Sequence, residues 1–410
     1  MAGDAGRRIS HPLRAVAHGV VALLCLALVA AGKPATPAKP NGQPQQAQGG
    51  MEVKADVALL VDYATGSVLF EKNPDKLFFP ASLTKMMTVA VAFREVKEGR
   101  LSLTADFPVS EHAWRTGGAP SRTSAMFAPI NSRVTVDDLL RGIMIQSAND
   151  GAIALAEGLG GTEAGFAEKM NARAKELGMD QTSFANPTGL PDPGNRTTAR
   201  DLVKLGAHLV REHPDLYKIY AQPEFTYNKI RQFNRNPLLR EFPGADGMKT
   251  GYIKESGYNL VGSALQNGQR LIVVIGGAAN EKDRAEDARK LLDWGFRTFE
   301  TVHMYGADEP IGEATVFGGM NAGVKVSSPK PVDILIQRGS RDKLKARVVY
   351  SGPIKAPVEK GRPIGKLVVT RNESVVQEIP VEAQEAVAVG TLRQRAIDGT
   401  REVLIGLFRR

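Results

Sequence analysis

The sequence predicts an α+β protein: helices around an antiparallel sheet in a larger first domain, then a small all-β domain and a terminal amphipathic helix. Three observations carry this. Apolar residues recur at helical spacing in several segments between 80 and 210, and strand-like runs joined by tight turns fill 248 to 277. After about 305 only short strands punctuated by Gly and Pro remain. At 410 residues the chain is long enough for two domains, and 42% hydrophobic with 24% charged is an ordinary globular balance.

The first 31 residues read as an export signal. Arg7, Arg8 and Arg14 precede an almost continuous apolar stretch from Ala15 to Ala31, which ends in the small residues Val29-Ala30-Ala31. The alternative is an uncleaved anchor, for which about 17 apolar residues, many of them Ala or Gly, are short. The only cysteine, Cys25, lies inside this segment, so a cleaved chain has neither a disulfide nor a cysteine metal site. Residues 32–52 are dominated by Pro, Gln and Gly and read as a disordered linker.

The first folded domain is expected over 53–300. "DVALLVDYATGSVLFEKN" (56–73) reads as a hairpin turning at Gly66, and Met86, Val89, Ala90 and Phe93 recur helically after Pro80. Thr135 and Asp138 stand at capping-box spacing before a helical run that the polar Ser147–Asp150 interrupts. Residues 198–210 form a further amphipathic helix. Three antiparallel strands over 248–277 follow, with Asn267-Gly268 as a two-residue turn, and 287–300 closes the domain as a helix.

A β-rich domain is expected over 305–388, followed by an amphipathic helix over 391–410. On its wheel Leu392, Ala396, Ile397, Val403, Leu404, Leu407 and Phe408 share one face, while Arg395, Asp398, Arg401, Glu402 and Arg409 take the other. Such a helix lies in an anionic membrane surface or docks on its own protein. The net charge of +9 comes without a run of five basic residues and with only 6% aromatics, which argues against nucleic acid.

"FPASLTKMMTVA" (79–90) places Ser82 three residues before Lys85, on one helical face. S-x-x-K also occurs at Ser327 and Ser340, so the spacing alone decides nothing. As a base, Lys85 must lose most of its ordinary affinity for a proton, a fall that needs roughly 4 kcal/mol of burial or like-charge repulsion. Ser147-Ala148-Asn149 brings a hydroxyl and an amide between two helices, where plain capping is the competing reading. In Lys249-Thr250-Gly251, the lysine can depress the pKa of another lysine and bind a carboxylate, Thr250 can join that carboxylate, and Gly251 can admit substrate to the strand. S-x-x-K, S-x-N and K-T-G in this order are the signature of serine acyltransferases that react with β-lactams, and only the first S-x-x-K precedes the other two.

With these motifs, and with "TVDDLLRGIMIQSANDGAIALAE", "NPTGLPDPGNRTTARDLVKL", "NRNPLL" and "GADGMKTGYIKESGYNLVGSA" in the same order, the chain resembles the low-molecular-mass penicillin-binding proteins, specifically the serine D-alanyl-D-alanine carboxypeptidases, over about 55–300. The β-rich domain and the tail resemble that family's second domain and membrane anchor more weakly. The resemblance implies a β-lactamase/DD-peptidase-like domain, antiparallel sheet with helices on both sides, and a hydrolase without metal or cofactor. It would trim stem peptides of peptidoglycan at the periplasmic face of the cytoplasmic membrane and be acylated by β-lactam antibiotics.

By position, the resemblance implies that Ser82 is the nucleophile and Lys85 its base. Ser147 would relay the proton, and Asn149 would orient Lys85 and the substrate amide. Backbone N–H groups of Ser82 and Tyr252 would form the oxyanion hole, and Lys249, Thr250, Gly251 and Arg284 would bind substrate, with Lys282 as the rival to Arg284. Other chemistries are disfavoured: no E-x-x-L-N for a β-lactamase water, no G-x-S-x-G, and no H-E-x-x-H occur. Transpeptidation on the same residues, or an idle scaffold, stays open.

Overall fold

A computed structural model of the chain describes residues 51–340 and 343–408, so the expected export signal, Cys25 and nearly all of the linker lie outside the described residues. The chain divides into two compact units, passing from one to the other between Glu300 and Thr301.

In the first unit, β1 (Val57–Asp62) and β2 (Val68–Lys72) form the expected hairpin, with Gly66 at φ +70°. Helix α1 (Lys85–Lys97) follows a short 3₁₀ turn, Ala81–Thr84. A small antiparallel pair, β3 (Asp106–Pro108) and β4 (Arg133–Thr135), leads into α2 (Val136–Arg141), which Thr135 caps by accepting from the Asp138 N–H. Then come α3 (Asn149–Gly160), α4 (Glu163–Glu176), α5 (Ala199–Glu212), α6 (Pro214–Tyr217), the pair β5 (Glu224–Tyr227) and β6 (Ile230–Phe233), and α7 (Leu238–Glu241). Strands β7 (Ala245–Ile253), β8 (Gly257–Gln266) and β9 (Gln269–Ala278) precede α8 (Glu281–Thr298).

The central sheet runs β2-β1-β9-β8-β7, antiparallel throughout, with β7 at an edge. Its middle strands are continuous apolar runs because both faces are covered. Leu59, Val61, Ile272 and Val274 join α1, α3 and α5 in one core cluster. A side chain on Gly295 of α8 would strike Leu60 and Leu271 on the opposite face. Asn267 and Gly268 both have positive φ, as a two-residue hairpin requires. Helix α8 starts six residues ahead of the expected 287: Asn280 accepts from the Asp283 N–H, and this cap precedes charged turns that show no apolar period.

In the second unit, β10 (Phe299–Tyr305) pairs with β13 (Val332–Gln337). A six-stranded sheet has the order β14 (Leu344–Tyr350), β16 (Pro363–Arg371), β17 (Ser374–Ala383), β12 (Gly323–Ser327), β11 (Pro310–Phe317) and β15 (Ile354–Lys355). Val316, Val324, Val326, Leu367, Val369 and Val381 make its core. Helix α9 (Leu392–Phe408) ends the described chain. The Gly318 N–H donates to Asp398 and Gln394 Nε2 to the Met320 carbonyl, so polar groups of α9 face the domain, while Leu392 is 78% and Ile397 57% exposed.

Candidate active site

Ser82 sits on the 3₁₀ turn and Lys85 opens α1, so one turn of chain brings Lys85 Nζ to 3.1 Å from Ser82 Oγ. The second partner of that nitrogen is the Thr188 carbonyl, at 2.6 Å. Asn186 builds this loop by accepting from the N–H groups of Thr188 and Gly189 and from the Thr188 hydroxyl. Thr88 ties the same loop to α1 by donating to the Pro187 carbonyl. A side chain on Gly189, at φ +75°, would collide with the Ala81 carbonyl, so glycine lets the loop press against the Ser82 turn.

Lys85 is 1% exposed, and no carboxylate hydrogen-bonds its ammonium. Burial, reinforced by the Arg235 guanidinium and opposed by Asp150, brings it down to about 7. Lys249 on β7 is 2% exposed, donates to the Thr250 carbonyl at 3.1 Å, and is likewise held well below its ordinary value by burial, then by Lys85, Arg235 and Arg284. Arg235 is thus a cation beside Lys85 that the sequence did not point to, in addition to Lys249, which repels Lys85 in turn.

Ser147 has φ +67° in the break between a five-residue π turn, Gly142–Gln146, and α3. Its Oγ is buried without a hydrogen-bond partner in a cleft that Ser82 also lines, as is Asn149 Oδ1 within the protein. The Asn149 amide donates to Thr123 Oγ1 at 2.9 Å and makes no hydrogen bond to Lys85. Behind them Asp150 accepts from the Met126, Ala128 and Gly151 N–H groups, fixing the neighbouring loop; burial pushes its carboxyl up.

Gly251 has a use beyond the one expected from the sequence. A Cβ there would lie 2.9 Å from the Pro80 carbonyl and 3.2 Å from the Ser82 nitrogen. The missing side chain lets edge strand β7 approach the nucleophile's own backbone. Beside it, Tyr252 is half exposed with its ring against Tyr258, at 4.3 Å between centroids.

The cleft has a volume of about 760 Å³, and its catalytic end is lined by Ser82, Ser124, Ser147, Arg235, Thr250 and Arg284. Arg284 is 6% exposed, its Nε lacks a partner, and its guanidinium lies 5.7 Å from the Tyr258 ring. The Lys282 side chain is 82% exposed and reaches Glu286. Among the described residues no group of three or more His, Cys, Asp or Glu could hold a metal ion. A buried lysine poised on a serine, unpaired hydroxyl and amide oxygens, and a cationic wall together suit acyl transfer from a substrate that carries a carboxylate.

Residues 42–280 match the family model described as D-alanyl-D-alanine carboxypeptidase, and residues 299–389 match that of the penicillin-binding protein 5 C-terminal domain. The chain belongs to the D-alanyl-D-alanine carboxypeptidase family. The carboxypeptidase DacA of Haemophilus influenzae is 41% identical over 77% of this chain and 81% of its own length. Penicillin-binding protein 5 of the same organism has a similar solved structure, with TM-score 0.78 and 38% identity over 82% of this chain and 98% of that one. Penicillin-binding protein D2 of Listeria monocytogenes, solved with ampicillin bound, gives TM-score 0.52 and 31% identity over 60% of this chain and 98% of that one. The protein is a serine D-Ala-D-Ala carboxypeptidase, a hydrolase.

Of this carboxypeptidase's site, sequence reasoning missed Arg235, Ser124, Thr123 and Thr188. Arg235 donates to Ser124 Oγ at 2.6 Å, and Thr123 holds Asn149. Arg235 lies in "NRNPLL" and Thr188 in "NPTGL", strings whose chemistry shows no local pattern once they are read apart from the fold.

Proposed function

We propose that the enzyme removes the terminal D-alanine of peptidoglycan stem pentapeptides through an acyl-enzyme on Ser82. The observation that carries this is Lys85, buried, brought down to about 7 and 3.1 Å from Ser82 Oγ. Neutral Lys85 takes the Ser82 proton as Oγ attacks the penultimate D-alanyl carbonyl. The N–H groups of Ser82 and Tyr252 receive the developing oxyanion. Supporting this is the approach of Gly251 to the Ser82 nitrogen, which brings the two backbones together. The amide C–N bond breaks, and the departing D-alanine nitrogen takes the proton by way of Ser147. Water then hydrolyses the ester and restores the serine.

Asn149 holds the substrate amide, and Lys249, Thr250 and buried Arg284 receive the terminal carboxylate, with exposed Lys282 as the weaker candidate. A β-lactam occupies the same cleft, a reading supported by the similar Listeria protein having been solved with ampicillin bound. The enzyme uses neither metal nor cofactor. Incubation of the purified chain with a penicillin, followed by mass spectrometry, should give one covalent adduct, on Ser82. An adduct elsewhere, or D-alanine release that survives Lys85→Ala, refutes the mechanism.

Residues 1–31 direct export, 32–52 link the signal to the catalytic domain of 53–300, and the β-rich domain of 305–388 leads to α9, which lies on the anionic periplasmic face of the cytoplasmic membrane. The exposure of Leu392 and Ile397, while Gln394 and Asp398 bond to the domain, supports this reading. No helix among the described residues is long and apolar enough to cross a membrane. Deleting 391–410 should move the protein to the soluble fraction with activity on soluble peptides intact; retention on the membrane refutes the anchor.

A further inference from the structure

The loop that meets Lys85 is closed by side chains. Asn186 Oδ1 accepts from the Thr188 N–H at 3.2 Å, the Thr188 hydroxyl at 2.9 Å and the Gly189 N–H at 2.7 Å, an Asx turn. The Leu190 N–H goes to Thr188 Oγ1, and the Leu190 carbonyl accepts from the side-chain amides of Asn186 and Asn195. Every N–H from Thr188 to Leu190 is thus bound to a side-chain oxygen, and the Pro187 carbonyl is taken by Thr88 at 2.7 Å. The Thr188 carbonyl is left over, and among the described residues Lys85 alone donates to it.

A neutral lysine amine has two N–H donors and one lone pair, and a carbonyl can only accept. With one N–H fixed on the Thr188 carbonyl at 2.6 Å, the lone pair can settle on Ser82 Oγ at 3.1 Å. An amine without that anchor turns freely about its last bond and presents N–H to the serine as readily as its lone pair. We propose that Asn186 is a positioning residue for acylation: through the Asx turn it holds the Thr188 carbonyl on Lys85, and so keeps the amine's lone pair on Ser82. This rests on Lys85 being the base for Ser82. Asn186 itself touches no reacting atom. The carbonyl also favours the ammonium form. It acts on Lys85 in the same direction as the Asp150 carboxylate, against burial, Arg235 and Lys249.

The test is the rate of penicillin acylation of the purified chain from pH 5.5 to 10, with melting temperatures recorded. Wild type should show an acid limb near 7. Asn186→Ala should acylate roughly tenfold more slowly on the alkaline plateau, and its limb should move about one unit lower, because the ammonium loses an acceptor while Arg235, Lys249 and Asp150 remain. Asn186→Asp keeps an oxygen for all three donors and should restore the plateau, with its limb above that of wild type because a carboxylate is added. A slower plateau with an unmoved limb is what a merely loosened loop gives, and it overturns the proposal. So does an Asp variant as slow as the Ala variant. If Asn186→Ala does not fold, Asn186→Gln takes its place: the longer arm keeps the amide but not the turn, and it must show the same two changes. A wild type that forms no adduct on Ser82, or has no acid limb, brings down the Lys85 mechanism and the role of Asn186 with it.

Discussion

Replacing Arg235 by Gln should move the acid limb of the pH–rate profile to higher pH. Lys85 serves as a base only when neutral, and burial together with Arg235 brings it to about 7. Near pH 7 half of the enzyme is therefore competent. Burial is the larger cause and remains in the variant. Loss of the guanidinium removes one like charge, which typically raises a neighbouring pKa by about one unit, to roughly 8. The neutral fraction at pH 7 then falls from about a half to about a tenth, a roughly fivefold loss in kcat/KM that vanishes above about pH 9.5. The assay is D-alanine release from a pentapeptide at subsaturating substrate, from pH 5.5 to 10. The position of the limb is the readout, because its height also reflects the lost bond to Ser124. Arg235→Lys keeps the charge and should keep the limb near 7. A limb that stays put in Arg235→Gln, or moves to lower pH, refutes this account of how Lys85 is made basic.

Three further outcomes follow from the same geometry. Lys85→Met should abolish D-alanine release yet raise the melting temperature at pH 7: holding the ammonium near 7 against an ordinary 10.5 costs about 5 kcal/mol, offset in part by the Thr188 carbonyl left bare. The unfolded chain binds the extra proton between pH 7 and 10.5, so the gain should shrink as pH rises through that window, and a variant less stable than wild type at pH 7 would contradict it. Gly251→Ala should push the Ser82 turn away from β7, lowering the penicillin acylation rate by about a hundredfold while the fold loses only about 1–3 kcal/mol; near-normal acylation would sink this. His208 and His213 are buried edge to face at 5.4 Å, and burial pulls both down to about 4 from 6.5. Below pH 6.5 the unfolded chain takes up protons that the folded one refuses, so urea stability should fall from pH 6.5 to 4, by on the order of 3 kcal/mol per imidazole. His213→Phe, against Phe93, should flatten that slope, and an unchanged slope places the acid sensitivity elsewhere.

What the sequence disclosed and what it hid differ in the range of the interaction. Ser82 and Lys85 meet within one turn, and Asn267-Gly268 fixes its hairpin within two residues, so spacing and backbone preference suffice. The same locality reveals the capped start of α2 at Thr135. The partner of Lys85 is a main-chain carbonyl 103 residues away, and every residue type carries a carbonyl, so no residue identity announces it. Arg235 enters from an irregular segment before α7, where neither period nor motif marks a side chain that will turn inward. For Gly251 the need for a missing side chain was legible, but what fills the space was not, because Pro80 and Ser82 come near only when β7 docks on the 3₁₀ turn.

The site departs from local preference in a consistent way. Ala81, next to the nucleophile, and Ser147, neither of them glycine, take left-handed backbone at φ +49° and +67°, each at a cost of about 1–3 kcal/mol. Lys85 and Lys249 are buried with no carboxylate bonded to either, and Ser147 Oγ and Asn149 Oδ1 are buried unpaired. Every one of these terms opposes folding, and a core of Val, Ile, Leu and Met on both faces of the sheet must offset them. The buried side chains among them share one direction: each is a polar group oriented and without its best partner. A substrate peptide supplies what is missing: a carboxylate for the cations, an amide for Asn149 and a departing amine for Ser147. Part of the destabilisation is therefore relieved when substrate binds, so a non-hydrolysed peptide analogue should stabilise wild type more than Lys249→Met, in which that carboxylate finds one buried cation fewer.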